Sequence, residues 1–399
     1  MTCPRSNTWV GAGLPRLTHA YASGVPVAIG TDSLASAPSL SLFDELAEMD
    51  VISICVPTPL SKTRDPDMSY VMKATQEIAQ RLRKGQLVIL ESTTYPGTTH
   101  ELVKPALEEG GLKLGDDFYL AFSPERVDPS NPTFRIKNTP KVVGGVDDES
   151  GTLTHEFYST AIDNVIKVSS SAAAEMSKLL ENTFRSVNIG LVNEVAIMSH
   201  RLGLDVWEVI DAAASKPFGF MKFVPGPGLG GHCIPIDPFY LSWKLRTLNY
   251  RARFIELAGE VNSEMPHYVV RLITEALNDN KRSVNGSRIL LAGVAYKNDV
   301  ADTRESPALD IMKLLEEQGA EVVYSDPFVP SFRAGSVVHE SVALSAEQLR
   351  QADCVVVTCR HTGVDFNDVA AHAPLVVDAR NAYPLGYKKP EGGARIVKL

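Results

Sequence analysis

The stretch Val51-Ile52-Ser53-Ile54-Cys55-Val56-Pro57-Thr58-Pro59 opens the reading of the fold: six residues of β-rich, largely apolar pattern, halted by two prolines. A short apolar run bounded by breakers reads as a buried strand. A helical stretch follows from about Met68 to Arg83 and closes on Lys84-Gly85. Leu87-Val88-Ile89-Leu90 is the next strand, then Phe118–Phe122, Lys141–Val143 and Val165–Val168. Strands that recur between helices predict a mainly parallel, doubly wound sheet.

Outward from there the pattern changes. From Ala172 to about Leu202 there is no proline and a single glycine, Gly190. Met176, Leu179, Leu180, Phe184, Val187, Leu191 and Val195 recur at three- and four-residue steps, which predicts one long amphipathic helix. It suits a spacer between domains or a dimer seam, and equally an ordinary core helix. A second α/β unit starts near Gly286. Arg288–Val294 is a strand into a glycine turn, Ser306–Gly319 a helix, and Glu321–Tyr324, Cys354–Val357 and Leu375–Val377 are further strands. The expected fold is α/β: two Rossmann-like doubly wound lobes joined by a long central helix.

Composition bounds the function. At 399 residues, 44% hydrophobic and 22% charged, the chain reads as a soluble globular protein of two or three domains. A net charge of -9 argues against general nucleic-acid binding. No apolar run approaches the ~20 residues of a membrane helix, and the start Met1–Asn7 lacks the apolar core of a signal peptide, so the expected compartment is cytoplasmic. The five cysteines are odd in number and form no CxxC pair, so neither a disulfide framework nor a structural zinc site is expected.

The chemistry concentrates in Phe223-Val224-Pro225-Gly226-Pro227-Gly228-Leu229-Gly230-Gly231-His232-Cys233-Ile234-Pro235-Ile236-Asp237-Pro238. Four glycines and four prolines in 16 residues predict a shaped loop rather than helix or strand. Cys233 sits in it beside His232 and four residues before Asp237. A thiolate there can attack an electron-poor carbon. Lys178 and Asn182, at i and i+4, share a helix face and can stabilise a developing oxyanion; the bland alternative is a solvated face. Val56-Pro57-Thr58-Pro59 and Glu91–Thr99, with Thr94, follow strand ends, where open α/β sheets bind ligands. Glu125, in Ser123-Pro124-Glu125-Arg126, is placed to act as an acid or base. Lys297 and Arg304, after the first strand of the second unit, suit anion contacts.

Together these motifs resemble the UDP-glucose/GDP-mannose dehydrogenase family, from about Asp50 to the C-terminus. Gly230-Gly231-His232-Cys233-Ile234-Pro235-Ile236-Asp237-Pro238 and the run from Lys297 through Asp302, Arg304 and Ser306 carry the resemblance. Lys216–Met221 favours the branch acting on N-acetylhexosamines. The resemblance implies NAD as cofactor, a UDP-sugar as substrate and a homodimer or higher homo-oligomer. It implies two-step oxidation of UDP-N-acetylglucosamine at C6 to the uronic acid, in polysaccharide precursor synthesis. Cys233 then captures the aldehyde as a thiohemiacetal, which a second oxidation turns into a thioester for water to cleave. Lys178 and Asn182 stabilise charge, Asp237 assists proton transfer, and Glu125 and Thr94 lie near the reacting carbon. Pro57, Thr58, Thr94, Glu125 and Arg304 match cofactor contacts; Lys178, Gly230 and Lys297 match substrate contacts. Alternatives are UDP-glucose or UDP-N-acetylmannosamine as substrate, or an inactive remnant that binds UDP-sugar only.

The opening of the chain departs from the family. No GxGxxG-type turn precedes Val51; Gly11-Ala12-Gly13-Leu14-Pro15-Arg16 lacks the third glycine and a preceding strand. Instead Cys3–Asn7, Gly24–Ser33 and Leu42–Leu46 resemble late barrel segments of metal-dependent amidohydrolases, in which the Asp32 position is a metal ligand. No His-x-His pair accompanies it, so no metal is expected. The expected division is a foreign segment (1–49), a partial NAD-binding Rossmann lobe (50–170), a central helical dimerisation and catalytic region (171–282) and a UDP-sugar-binding Rossmann-like lobe (283–399). The first lobe is therefore expected to be incomplete.

Overall fold

The computed structural model describes residues 49–61, 65–128, 131–231 and 233–399, together with the backbone of residues 28–29. Two compact units are present: one holds the described residues up to Asn182 plus Ile236–Arg251, the other Thr183–Pro235 plus Ala252–Leu399. The Gly11–Arg16 stretch and the amidohydrolase-like segments lie outside the described residues, except where Gly24–Ser33 includes the backbone of residues 28–29.

The first unit is built on a six-stranded sheet in the order β1 to β6. Its elements are β1 (Ala28–Ile29), β2 (Val51–Ile54), α1 (Ser69–Ala79), β3 (Leu87–Leu90), a π turn (Thr99–Val103) running into α2 (Lys104–Glu108), β4 (Tyr119–Phe122), β5 (Lys141–Gly145), α3 (Asp148–Ser159) and β6 (Val165–Val168). Neighbours pair in parallel except β4 and β5, where Ala121 opposes Gly145. β3 is buried along its whole length, as an apolar strand covered on both faces should be. Each such Leu, Val or Ile contributes roughly 1.5–3 kcal/mol by burial. β2 alternates: Ile52 and Ile54 enter the core with Val88, Leu90 and Leu120, while Ser53 faces the other way. β1 pairs in parallel with β2, Ala28 opposite Val51, so the outer edge of β2 is covered by residues from the segment read as foreign. Parallel neighbours need a crossover of about a dozen residues or more, and residues 30–50 supply that length once.

The predicted long helix is α4, Ser171–Leu202; it begins in the first unit and continues into the second beyond Asn182. In the second unit α5 (Val206–Ala214) follows, started by Asp205, whose side chain accepts from the Trp207 N–H. The chain then returns to the first unit as α6 (Asp237–Thr247). The glycine–proline loop therefore stops at Ile236, two residues short of its predicted end. Asp237 and Pro238 form the first turn of α6, where a proline costs no hydrogen bond.

The second unit resumes with α7 (Arg253–Asp279), β7 (Arg288–Ala292), α8 (Pro307–Glu317), β8 (Glu321–Ser325), a hairpin of β9 (Ser331–Ala334) and β10 (Val337–Glu340), α9 (Ala346–Gln351), β11 (Cys354–Val357), α10 (Phe366–His372), β12 (Leu375–Asp378) and β13 (Arg395–Lys398). Its main sheet is all parallel, in the order β13-β12-β11-β7-β8. Along β7, Ile289 and Leu291 enter one core and Leu290 and Ala292 the other, so both faces are covered. The order reverses between β7 and β11, which puts the loops after those strands at the crevice where doubly wound sheets bind ligands. Among the described residues no helix is long and apolar enough to cross a membrane.

Candidate active site

In the first unit the carboxyl ends of β2, β3 and β4 present Pro57–Thr58, Glu91–Thr99 and Ser123–Arg126. The Ser92 hydroxyl ties two of them, donating to the Val56 carbonyl and accepting from the Val56 N–H, both at 2.7 Å. The Tyr240 hydroxyl, on α6, donates to the Thr58 carbonyl at 2.7 Å. Ser53, Lys141 and Tyr158 all converge on Glu91, at 3.1 Å from the Ser53 hydroxyl and 3.2 Å from Lys141 Nζ. Burial, reinforced by the Glu91 carboxylate, pushes the Tyr158 phenol far up. Nothing in the sequence near Glu91 signalled this brace, because its partners come from three other elements.

Thr94 is buried, and its Oγ1 has no hydrogen-bond partner among the described residues. Leaving a buried hydroxyl unpaired costs about 1–3 kcal/mol, so this group at a strand end is a feature that a bound polar ligand would satisfy.

Helix α4 supplies the next residues. Lys178 is only 8% exposed, and its ammonium donates to the Glu125 carbonyl at 2.5 Å. One turn on, the Asn182 side-chain amide donates to the Asp237 carboxylate, and both residues are buried. Arg126 and Glu181 add an ion pair at 2.7 Å between the β4 loop and the same helix. The solvated-face alternative for Lys178 and Asn182 is thereby excluded. Glu125 itself is exposed, with its carboxylate accepting from the Val127 N–H.

Glu175, on the same helix, is fully buried and was not singled out in the sequence. Its carboxylate accepts from Gly97 N at 2.5 Å, Thr99 N at 2.9 Å and Thr99 Oγ1 at 2.6 Å, which caps the helical turn after the Thr94 loop. Burial raises its pKa to about 7 in spite of those three donors.

The second unit holds the glycine–proline loop up to Pro235, with Cys233 half-buried. Gly226 N donates to Asn193 Oδ1 at 2.9 Å, and Asn193 in turn donates to Asn262 Oδ1 at 2.9 Å. Gly231 N donates to the Arg304 carbonyl at 3.0 Å. Gly231 has φ +87°, and a Cβ there would lie 2.8 Å from the Tyr296 ring, so only glycine fits. The structure thus brings Gly230, Gly231, Tyr296 and Arg304 together around the segment leading to Cys233. The Arg304 guanidinium grips Asp302, with Nη2 2.7 Å from Oδ2. Lys297 is exposed on the loop after β7. Among the described residues no cluster of three His, Cys, Asp or Glu side chains is placed to hold a metal.

Two sheets of Rossmann type, a buried Lys–Asn pair on a long helix, and a cysteine in a glycine–proline loop define an NAD-dependent dehydrogenase of nucleotide sugars. The chain belongs to the UDP-glucose/GDP-mannose dehydrogenase family: the NAD-binding domain matches residues 36–162, the central domain 172–264 and the UDP-binding domain 290–384. It is 37% identical over 298 residues to UDP-N-acetyl-D-glucosamine 6-dehydrogenase of Pseudomonas aeruginosa, covering 74% of this chain and 69% of that protein. It is 34% identical over 352 residues to UDP-N-acetyl-D-mannosamine dehydrogenase of Pyrococcus horikoshii, covering 86% and 81%. The solved structure of the UDP-D-ManNAc dehydrogenase from Pyrococcus horikoshii superposes with a TM-score of 0.80 at 33% identity, over 89% of this chain and 82% of that one.

NAD is the cofactor of this class. The partnerless Thr94 hydroxyl, at the carboxyl end of β3 in the NAD-binding domain, fits a polar group of a bound ligand. The NAD-binding match begins at residue 36, inside the segment read as foreign and after β1, and residues 30–48 lie outside the described residues.

Proposed function

We propose that this protein oxidises the C6 hydroxymethyl group of a UDP-N-acetylhexosamine, UDP-N-acetylglucosamine first among them, to the carboxylate in the cytoplasm, for polysaccharide precursor synthesis. The names of its relatives and the Lys216–Met221 stretch support the N-acetylhexosamine. The observation that carries the chemistry is the buried Asn182–Asp237 hydrogen bond, one helical turn from a buried lysine. A desolvated ammonium and amide favour an oxyanion, and a carboxylate held by that amide can accept a proton from water.

NAD, when bound, would supply the hydride acceptor for each of two successive oxidations. Cys233 contributes a thiolate that adds to the intermediate aldehyde, giving a thiohemiacetal and then a thioester. Lys178 and Asn182 stabilise the oxyanion at C6. Asp237 takes a proton from the water that cleaves the thioester, which frees the thiolate and leaves the acid. Thr94 and Glu125 orient the reacting end from the β3 and β4 loops, with Pro57 and Thr58 beside the cofactor. Lys297 and Gly230 hold the nucleotide sugar, and Arg304 contacts the cofactor. The apolar stripe of α4, with Leu180, Phe184, Leu191 and Leu202 exposed, serves as the seam of a homodimer.

A second reading has its own observation. The family match to the NAD domain starts only at residue 36, and residues 30–50 are all that separate β1 from β2. On that reading the chain retains UDP-sugar binding and has lost NAD. Following NADH formation with UDP-N-acetylglucosamine, UDP-N-acetylmannosamine and UDP-glucose separates the two readings and ranks the substrates. Acid formation from none of them, with UDP still bound, supports the remnant.

A further inference from the structure

At the reversal point of the second sheet, the loop after β7 is gripped by the segment Thr358–Thr362 that follows β11. Gly293, at φ +91°, has no room for a side chain, since a Cβ would lie 2.4 Å from Cys359 Cβ. Asn298 Oδ1 accepts from Arg360 N at 3.0 Å and from Cys359 Sγ at 3.3 Å. Asp299 N donates to His361 Nδ1 at 2.9 Å, and Asp299 Oδ1 accepts from Thr362 N at 2.9 Å.

His361 is 1% exposed and lies 3.1 Å through Nε2 from Asp326 Oδ2. The same Asp326 oxygen accepts from Val294 N at 2.7 Å and Ala295 N at 3.0 Å. Burial opposes a protonated ring, while Asp326 and Cys359 favour it and raise its pKa to about 10, against the geometry at Nδ1. The Asp299 N–H aimed at Nδ1 decides for the neutral form, with its proton on Nε2. One imidazole therefore joins both ends of the arc 294–299: Val294 and Ala295 through Asp326, and Asp299 directly. Lys297 rides on that arc. Asp299 is held at φ +60°, a backbone conformation a non-glycine residue keeps only when its surroundings enforce it.

We infer that His361 is a positioning residue for the nucleotide sugar: it fixes the arc that presents Lys297, and its Nδ1 is the atom that does so. The inference rests on the reading that the second unit binds a UDP-sugar through Lys297.

Calorimetric titration of the full chain with UDP and UDP-N-acetylglucosamine tests it. His361→Asn places an amide oxygen where Nδ1 stands and keeps the acceptor for Asp299. His361→Gln keeps a donor towards Asp326 and loses that acceptor. Expected is a loss of affinity of about tenfold or more for His361→Gln and of no more than about threefold for His361→Asn, the scale of one hydrogen bond. Equal affinities for the two variants overturn the assignment of Nδ1. Should both variants fail to fold, the imidazole 15N signals of the unaltered chain decide: Nδ1 without a proton and Nε2 with one sustains the inference, and a proton on Nδ1 overturns it. If the unaltered chain binds no UDP, the reading of the second unit falls and this inference with it; binding by the unaltered chain isolates a failure to His361.

Discussion

Glu175 makes stability of the first unit depend on pH in a direction opposite to most carboxylates. Its folded pKa of about 7 lies above the ordinary 4.5 because burial penalises the charged form more than Gly97 and Thr99 reward it. The folded state therefore holds a proton between pH 4.5 and 7 that the unfolded chain has released. Its contribution is fully present below pH 4.5 and is lost as pH rises through 7. At 1.36 kcal/mol per unit the loss is about 3 kcal/mol. Glu175→Gln cannot ionise. It retains an acceptor for Thr99 and loses the one for Gly97, a penalty of about 1–3 kcal/mol that does not vary with pH. Urea unfolding at pH 4.5 to 8 should be followed by Trp243, which lies 5.0 Å from the Tyr95 ring in this unit, after Trp9 and Trp207 are replaced by Phe. Stability of the parent minus that of Glu175→Gln should fall by about 3 kcal/mol across that range. A difference flat to within about half a kcal/mol would refute the claim that the buried carboxyl is neutral at acidic pH.

Other outcomes follow from the same geometry. Cys233→Ala should abolish acid formation in any active form of the chain, including one with a restored glycine turn; acid produced at the parent rate would sink the covalent route. On the second reading, calorimetry of the unmodified chain would show UDP binding but little NAD⁺ binding at millimolar cofactor, since two or three absent phosphate hydrogen bonds at roughly 1.5–3 kcal/mol each remove several orders of magnitude of affinity; the first reading expects NAD⁺ to bind, and micromolar NAD⁺ binding overturns the second. Leu180→Glu combined with Leu191→Glu should shift the protein from dimer to monomer in light scattering, and a parent that is already monomeric contradicts the seam.

Much of this was legible in the sequence, for definable reasons. Val88–Leu90 and Val355–Val357 are unbroken apolar runs because both faces of their sheets are covered, so a short run between breakers sufficed to find them. Helix α4 was legible because its apolar period persists from Met176 to Val195, about five turns, without a proline. The hairpin Ser331–Glu340 escaped because its strands are mostly exposed and carry charge. The end of the glycine–proline loop was misplaced by two residues because Pro238 reads as a breaker, whereas near the start of a helix it is permitted. Glu175 and His361 could not be found locally. What makes each of them matter is a partner far along the chain, 76 residues for Glu175 and Thr99 and 62 for His361 and Asp299.

The same separation explains how two lobes of similar outline serve different ligands. In a dinucleotide-binding lobe, N–H groups at the turn after the first strand receive the pyrophosphate, and an acid ending the second strand holds a ribose. The second unit has both elements, the Gly293 turn and Asp326 directly after β8. Here, however, the acid has moved onto the turn: its carboxylate takes the N–H groups of Val294 and Ala295 and those of Phe328 and Val329. Those donors, with His361, hold Asp326 below the ordinary carboxylate range against the opposing effect of burial. An internal carboxylate thus fills the hydrogen bonds a phosphate would otherwise use. The Val294 and Ala295 donors are committed, so the proposed recognition of a nucleotide in this unit rests on side chains farther along the loop, Lys297 first.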